Sequence, residues 1–97
     1  MTTSALLRRY APMAEIEIYT IAWCPYCDRA RALLEKKGVS FTEHDAPTGS
    51  EARRQAIQRS GGKTTMPQIF IDGRHVGGCD DLVKLDRTGQ LDPLLAA

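Results

Sequence analysis

The alternation of polar and apolar positions predicts a strand, a helix and a second strand in the first half of the chain. Residues 15–19 (EIEIY) alternate in the pattern of a strand with one buried face. Pro25 suits the first position of a helix, and apolar residues then recur at helical spacing until two lysines and a glycine at 36–38 favour a helix end. Residues 39–42 (VSFT) alternate again. In this β-α-β order the two strands are parallel and the crossover is right-handed.

Two further helices are predicted in the second half. Thr48 and Ser50 are alternative N-caps for the first of them, which the sequence SGG at 60–62 ends. The apolar residues of 82–85 predict the second, which closes at Gly89. A final turn is predicted to begin at the Asp-Pro pair 92–93.

Between these helices lies a predicted hairpin. The apolar run 68–71 (QIFI) meets a strong two-residue turn, Asp-Gly at 72–73, and continues into a strand over 74–76. The complete order is β-α-β-α-β-β-α. It predicts an α/β fold with a four-stranded mixed sheet and helices on both faces.

Length and charge limit the class of protein. The 97 residues correspond to one small domain. We expect residues 1–13, which show no sustained period, to form a flexible extension before a domain at 14–97. The 13 Lys and Arg and the 12 Asp and Glu give a net charge of 13 − 12 = +1, which argues against a dedicated nucleic-acid binder. No apolar stretch reaches the roughly 18–20 residues that cross a bilayer, so we expect no membrane association.

The number of cysteines bears on whether the protein works in a reducing or an oxidising compartment. Three cysteines are too few, and odd in number, for the disulfide framework of a small secreted domain. The N-terminal apolar run, residues 5–7, is too short for a secretory signal. We therefore expect a reducing, cytoplasmic location, where closely spaced cysteines serve catalysis or metal binding.

Cys24-Pro25-Tyr26-Cys27 stands at the predicted junction of the first strand and first helix. A C-x-x-C pair in a β-α-β unit is typical of thioredoxin-like redox motifs. The unpaired N–H groups and the dipole of a helix N-terminus favour a thiolate at Cys24, and the thiolate is the attacking species in disulfide exchange. Zinc ligation is the alternative, but no second C-x-x-C completes a site. We therefore expect no metal.

Three motifs in order resemble the dithiol glutaredoxins: CPYC at 24–27, TMP at 65–67 and GGCDD at 77–81. The stretch 67–82 (PQIFIDGRHVGGCDDL) is especially similar to the small bacterial glutaredoxin 3 type, and the resemblance extends from Ala14 to the C-terminus. It implies a thioredoxin fold, glutathione as co-substrate and electron donor, and no tightly bound cofactor.

The resemblance also implies a glutathione site. In that family the proline matching Pro67 is cis, and the backbone of the residue matching Met66 pairs with the peptide part of glutathione. Main-chain N–H groups at the GGCDD segment hold the γ-glutamyl carboxylate, and the acid matching Asp80 faces the ammonium, although Asp80 can also be a helix cap. The predicted set is Tyr26, Lys63, Thr65, Met66, Pro67, Gly78, Cys79 and Asp80. Cys79 is either a small apolar filler or a third thiol near this site.

The chain departs from the family pattern at Ile21 and Trp23, and its loop at 61–63 is slightly longer than the tightest form in the family. Ile21 stands where the family often has a lysine that meets the glycine carboxylate of glutathione. Lys63 is the candidate to replace it, and Arg59 is a weaker one. Trp23, before the first active cysteine, is more typical of thioredoxins, and we expect it to pack at the rim of the site. No catalytic role is expected for His44 or His75.

The predicted activity is reduction of protein disulfides and glutathionyl mixed disulfides through a redox-active dithiol, with Cys24 attacking and Cys27 resolving. We expect a monomer whose partners are glutathione and disulfide-containing or glutathionylated proteins. Two alternatives remain. One is a thioredoxin-like reductase served by a flavoprotein; the other is a module that holds an iron–sulfur cluster through Cys24 and glutathione. Pro25 argues against the cluster, since family members that assemble one usually have another residue there.

Overall fold

A computed structural model describes residues 14–96, so the extension predicted at 1–13 lies outside the described residues. Strands and helices follow one another in the predicted order, with one further helix at the end. Their bounds are β1 (Ile16–Thr20), α1 (Pro25–Lys36), β2 (Thr42–Asp45), α2 (Glu51–Arg59), β3 (Gln68–Ile71), β4 (Arg74–Gly77), α3 (Cys79–Arg87) and α4 (Leu91–Ala96).

The four strands form one mixed sheet in the order β2-β1-β3-β4. β1 and β2 are parallel, whereas β1–β3 and β3–β4 are antiparallel. This confirms the predicted mixed sheet and its β-α-β unit. The arrangement is the thioredoxin fold that the resemblance implies.

Both faces of the sheet are covered, and alternate residues of the central strands serve different faces. Ile16 and Ile18 join the larger core cluster, to which α1, α3 and α4 contribute, while Tyr19 and Phe70 join a second cluster with Ala56 of α2. β3 is buried along its whole length. The second cluster also holds Cys24 and Cys27, so the reactive end of the molecule is anchored in the core.

Two local predictions change, and the choice between two N-caps that the sequence left open is resolved. The second strand runs over 42–45 and not 39–42, because Val39 and Phe41 pack on the core from the connection before it, while the edge strand itself is polar. Ser50 is the N-cap of α2: its Oγ accepts a hydrogen bond from the Arg53 N–H at 3.1 Å. The final segment is a short helix, α4, in place of a turn. Within the described part of the chain, the longest helix is too short and too polar to cross a membrane.

Candidate active site

Cys24 caps the N-terminus of α1 with its own sulfur. Its backbone is extended, Pro25 occupies the first turn, and the Cys27 N–H donates to Cys24 Sγ at 3.1 Å. This is the N-cap geometry that serine or aspartate usually supplies, with sulfur in place of oxygen. The N–H donor and the positive end of the helix dipole both favour negative charge on this sulfur.

Cys27 lies three residues further, in a different environment. None of its surface is exposed, whereas Cys24 is 8% exposed, and both cysteines are free thiols. Burial raises the pKa of the Cys27 thiol well above its ordinary value, and its hydrogen bond with Cys24 raises that pKa further. The pair is thus asymmetric, with a protonated, buried thiol beside a sulfur that is placed to carry charge.

The loop that faces this pair contains a cis peptide bond between Met66 and Pro67, as the resemblance implies. The Met66 carbonyl oxygen lies 3.9 Å from Cys24 Sγ, within reach of the thiol as a donor. The main chain of this loop therefore adjoins the reactive sulfur.

A groove of about 600 Å³ extends from this loop across the start of α3. Every residue predicted to border glutathione lines it: Tyr26, Lys63, Thr65, Met66, Pro67, Gly78, Cys79 and Asp80. Which of these residues contact glutathione stays a prediction. The sequence did not predict four further residues that line the groove: Gln68, Val76, Gly77 and Asp81. His75, for which no catalytic role was expected, lines it too. The predicted hairpin pairs His75 with Phe70, two residues after Gln68, and so could have placed Gln68 and His75 on the same face of the sheet.

The first turn of α3 is capped by Asp81, so the expectation that Asp80 could be the cap is wrong. Gly78 is the N-cap residue and has no side chain, and Asp81 Oδ2 accepts from its N–H at 3.0 Å. Gly77 has a φ of 127°, and a Cβ there would overlap the Asp81 carboxylate. Asp80 remains exposed on the groove wall with its carboxylate outside the cap.

Arg59 is excluded as a substitute for the family lysine. Its guanidinium donates to both carboxylate oxygens of Glu17, at 2.9 and 3.0 Å, and to the Tyr19 hydroxyl at 2.8 Å. It also lies 4.0 Å from the centre of the Phe70 ring. Its hydrogen bonds hold the pKa of Glu17 below the usual range. Lys63 lines the groove, whereas Ile21 packs against the core cluster of the two cysteines.

Trp23 does not pack at the rim of the site, contrary to expectation. It is 99% exposed, and its φ of 59° is uncommon for a residue other than glycine. This backbone turn directs the indole into solvent instead of onto the groove wall.

Cys79 is buried in the larger core cluster, at the base of the groove, and burial raises its pKa. Both features favour its interpretation as an apolar filler, since a thiol that attacks a substrate needs access and thiolate character. Among residues 14–96, no three His, Cys, Asp or Glu side chains come together in a way that could hold a metal ion.

A capped dithiol, a main-chain loop against it and an adjoining groove define the class of protein: a thiol–disulfide oxidoreductase of the thioredoxin fold. The family model for glutaredoxins matches residues 16–76. Glutaredoxin 3 of Escherichia coli (strain K12) is 59% identical over 83 residues, which are 86% of this chain and 99% of that protein.

Solved structures of glutaredoxins have the same fold. The solution structure of glutaredoxin from Brucella melitensis is 52% identical, with a TM-score of 0.76 over 88% of this chain and 91% of that one. The buckwheat glutaredoxin–glutathione complex is 26% identical, with a TM-score of 0.75 over 94% and 84%. This chain belongs to the glutaredoxin family, and its activity is glutathione-dependent reduction of disulfides.

Proposed function

We propose that Cys24 is the nucleophile and Cys27 the resolving thiol. The observation that carries the assignment is the asymmetry of the pair: the Cys24 sulfur accepts a helix N–H at 3.1 Å, while Cys27 is buried with a raised pKa. The rate of attack depends on the thiolate fraction and on access to the sulfur. The raised pKa and complete burial of Cys27 disfavour it on both counts.

In the monothiol route, the Cys24 thiolate attacks the glutathione sulfur of a glutathionylated protein. A Cys24–glutathione disulfide forms, the protein–glutathione bond breaks, and the protein sulfur leaves as a thiolate that takes up a proton. A second glutathione thiolate then attacks the bound glutathione sulfur. Oxidised glutathione leaves, and the Cys24 thiolate is restored.

In the dithiol route, Cys24 attacks a protein disulfide and forms a mixed disulfide with one of its two sulfurs. Cys27 loses its proton and attacks the Cys24 sulfur, which releases the protein as a dithiol and leaves a Cys24–Cys27 disulfide. Two glutathione molecules reduce that disulfide and become one molecule of oxidised glutathione.

The groove is the proposed glutathione site. The Met66 main chain pairs with the peptide part, with Thr65, Pro67 and Tyr26 bordering it. Gly78 borders the γ-glutamyl end, and the neighbouring Cys79 N–H holds the γ-glutamyl carboxylate, because the Gly78 N–H already donates to Asp81. Asp80 faces the ammonium, and Lys63 meets the glycine carboxylate. The groove supplies a cation and an exposed carboxylate for a ligand that carries both kinds of charge. The relative from buckwheat, solved with glutathione, supports glutathione as the ligand.

We further propose that the protein works as a cytoplasmic monomer, without a tightly bound cofactor, on disulfide-containing and glutathionylated proteins. Within residues 14–96 the exposed large hydrophobic residues are Trp23 and Tyr26, and both lie beside the dithiol. Reduced thiols are favoured in the cytoplasm.

The test is the choice of reductant. The protein is oxidised to the Cys24–Cys27 disulfide and treated with glutathione, glutathione reductase and NADPH, or with a flavoprotein thioredoxin reductase and NADPH. We expect rapid reduction in the first mixture only, with Cys24→Ser, which cannot form this disulfide, as the control. Reduction by the flavoprotein alone would assign the protein to the thioredoxin-like alternative.

A further inference from the structure

The Gln68 side chain is buried between two groups of the groove wall. It follows the cis-proline and is 2% exposed. Its Nε2 donates to the Thr65 carbonyl oxygen at 2.8 Å, and its Oε1 lies 2.7 Å from His75 Nε2. The three residues thus form a hydrogen-bonded chain from β4 through β3 to the loop before it. The function proposed above gives no role to Gln68 or His75.

The direction of each hydrogen bond in this chain follows from its chemistry. A carbonyl oxygen only accepts, so the amide NH₂ of Gln68 must face Thr65, and its oxygen must face His75. His75 must therefore carry a proton on Nε2 and donate it. Partial burial lowers the pKa of His75, which favours a neutral ring. The hydrogen bond to the Gln68 oxygen then places the one proton of that ring at Nε2. The ring also packs on Phe70, with 5.1 Å between ring centres, which restricts its orientation.

The hydrogen bonds from His75 through Gln68 to Thr65 orient the main chain that adjoins the Cys24 sulfur. The Thr65–Met66 peptide bond is trans, and in a trans peptide the C=O and N–H point in opposite directions. Fixing the Thr65 carbonyl on Gln68 therefore directs the Met66 N–H to the opposite side, away from Gln68. That N–H belongs to the main chain assigned above to the peptide part of glutathione.

We propose that His75, acting through Gln68, is a positioning residue for glutathione: it fixes the Gln68 amide, which holds the Thr65–Met66 peptide in the orientation that pairs with the ligand. This inference rests on the proposed function, because it requires glutathione in the groove. His75 touches neither the reacting sulfurs nor the proton transfers, so its effect falls on binding and not on the chemical step.

The experiment compares matched histidine variants. His75→Phe keeps an aromatic ring against Phe70 and removes the Nε2 donor. His44→Phe is the control: His44 Nε2 bonds to Glu17 at 3.1 Å and its ring packs on Tyr19, but it does not line the groove. His75→Gln returns an N–H donor at a similar reach. Gln68→Glu keeps the shape of Gln68 but offers Thr65 only acceptor oxygens.

For glutathione-coupled reduction of a small glutathionyl mixed disulfide, we expect His75→Phe and Gln68→Glu to raise the KM for glutathione about fivefold, the scale of one lost hydrogen bond. The kcat and the alkylation rate of Cys24 stay within about twofold of wild type, His75→Gln recovers most of the KM, and His44→Phe leaves it unchanged.

An unchanged KM in His75→Phe, or an equal rise in His44→Phe, would overturn the proposal. So would a matching fall in kcat and Cys24 alkylation, because that result indicates general disruption of the site. Asp80→Asn in the same assay separates this proposal from the one it rests on. If Asp80→Asn raises the KM and His75→Phe does not, the positioning role fails alone; if neither does, the glutathione site itself is misplaced.

Discussion

Two helices begin beside the groove, and their first turns are completed in different ways. The N-cap residue of α1 is Cys24, whose sulfur accepts the Cys27 N–H at 3.1 Å. The N-cap residue of α3 is Gly78, which has no side chain, and the Asp81 carboxylate accepts the Gly78 N–H at 3.0 Å. At α1 the capping atom is the reactive atom itself. At α3 the capping group is separate from the exposed Asp80 next to it.

This difference divides the site into a part for chemistry and a part for binding. A change in the first turn of α1 alters the stabilisation of the Cys24 thiolate and therefore the reaction. The first turn of α3 has its own cap, so its groove-facing groups can serve a ligand without being needed for folding. Predictions at the two helix starts should therefore separate into kinetic and binding effects.

The largest effect is expected within the first turn of α1. In Cys27→Ser, Cys24 should be alkylated by iodoacetamide at neutral pH at least about tenfold faster than Cys27 is in Cys24→Ser. The reason is that each unit by which the pKa of Cys27 is raised lowers its thiolate fraction about tenfold. Burial both raises the Cys27 pKa and blocks access to its sulfur. Mass spectrometry of the labelled peptides distinguishes both sulfurs from Cys79. Similar rates would remove the asymmetry on which the α1 assignment depends.

A smaller, separable effect is expected at α3. Asp80→Asn should raise the KM for glutathione up to about fivefold, because an exposed charge contact contributes at most about 1 kcal/mol, and should leave urea unfolding unchanged. The neighbouring Asp81→Ala is the matched variant: it removes the cap and should lower the free energy of unfolding by about 1 kcal/mol. If Asp80→Asn instead lowers stability and spares the KM, the division of roles within α3 is wrong.

The smallest effect concerns the glycine carboxylate of glutathione. Lys63→Ala should raise the KM for glutathione by about threefold, the scale of a solvent-exposed ion pair, and adding Ile21→Lys should restore it. Arg59→Lys serves as the control, since Arg59 is bonded to Glu17 and Tyr19 and is not part of the groove wall. A KM that Lys63→Ala leaves unchanged would show that this carboxylate is held by another group or hydrated.

The sequence was sufficient for features whose cause is local. The C-x-x-C pair, the proline after it and the β-α-β order together predict a capped dithiol at a helix start, and this is observed. The Asp-Gly turn likewise predicts the β3–β4 hairpin. The residues that line the groove were predicted from the resemblance to glutaredoxins, because a family pattern shows which motifs distant in sequence belong to one site.

Features that depend on packing between distant segments were not accessible. Val39 and Phe41 alternate like a strand, but their apolar side chains pack on the core from a connection. Glu17 occupies a polar position of β1, and the sequence does not show that Arg59 of α2 covers it, 42 residues away. The link from His75 through Gln68 to Thr65 depends on side-chain orientations in the folded hairpin, which a residue pattern does not encode.

The central claim is that the helix-capping sulfur of Cys24 performs the attack and that the buried Cys27 is needed only to resolve protein disulfides. Glutathione-coupled reduction of a small glutathionyl mixed disulfide by wild type, Cys24→Ser and Cys27→Ser tests this most directly. We predict that Cys24→Ser is inactive above the uncatalysed rate and that Cys27→Ser retains the activity of wild type. Equal loss in both variants, or activity that survives in Cys24→Ser, would contradict the account.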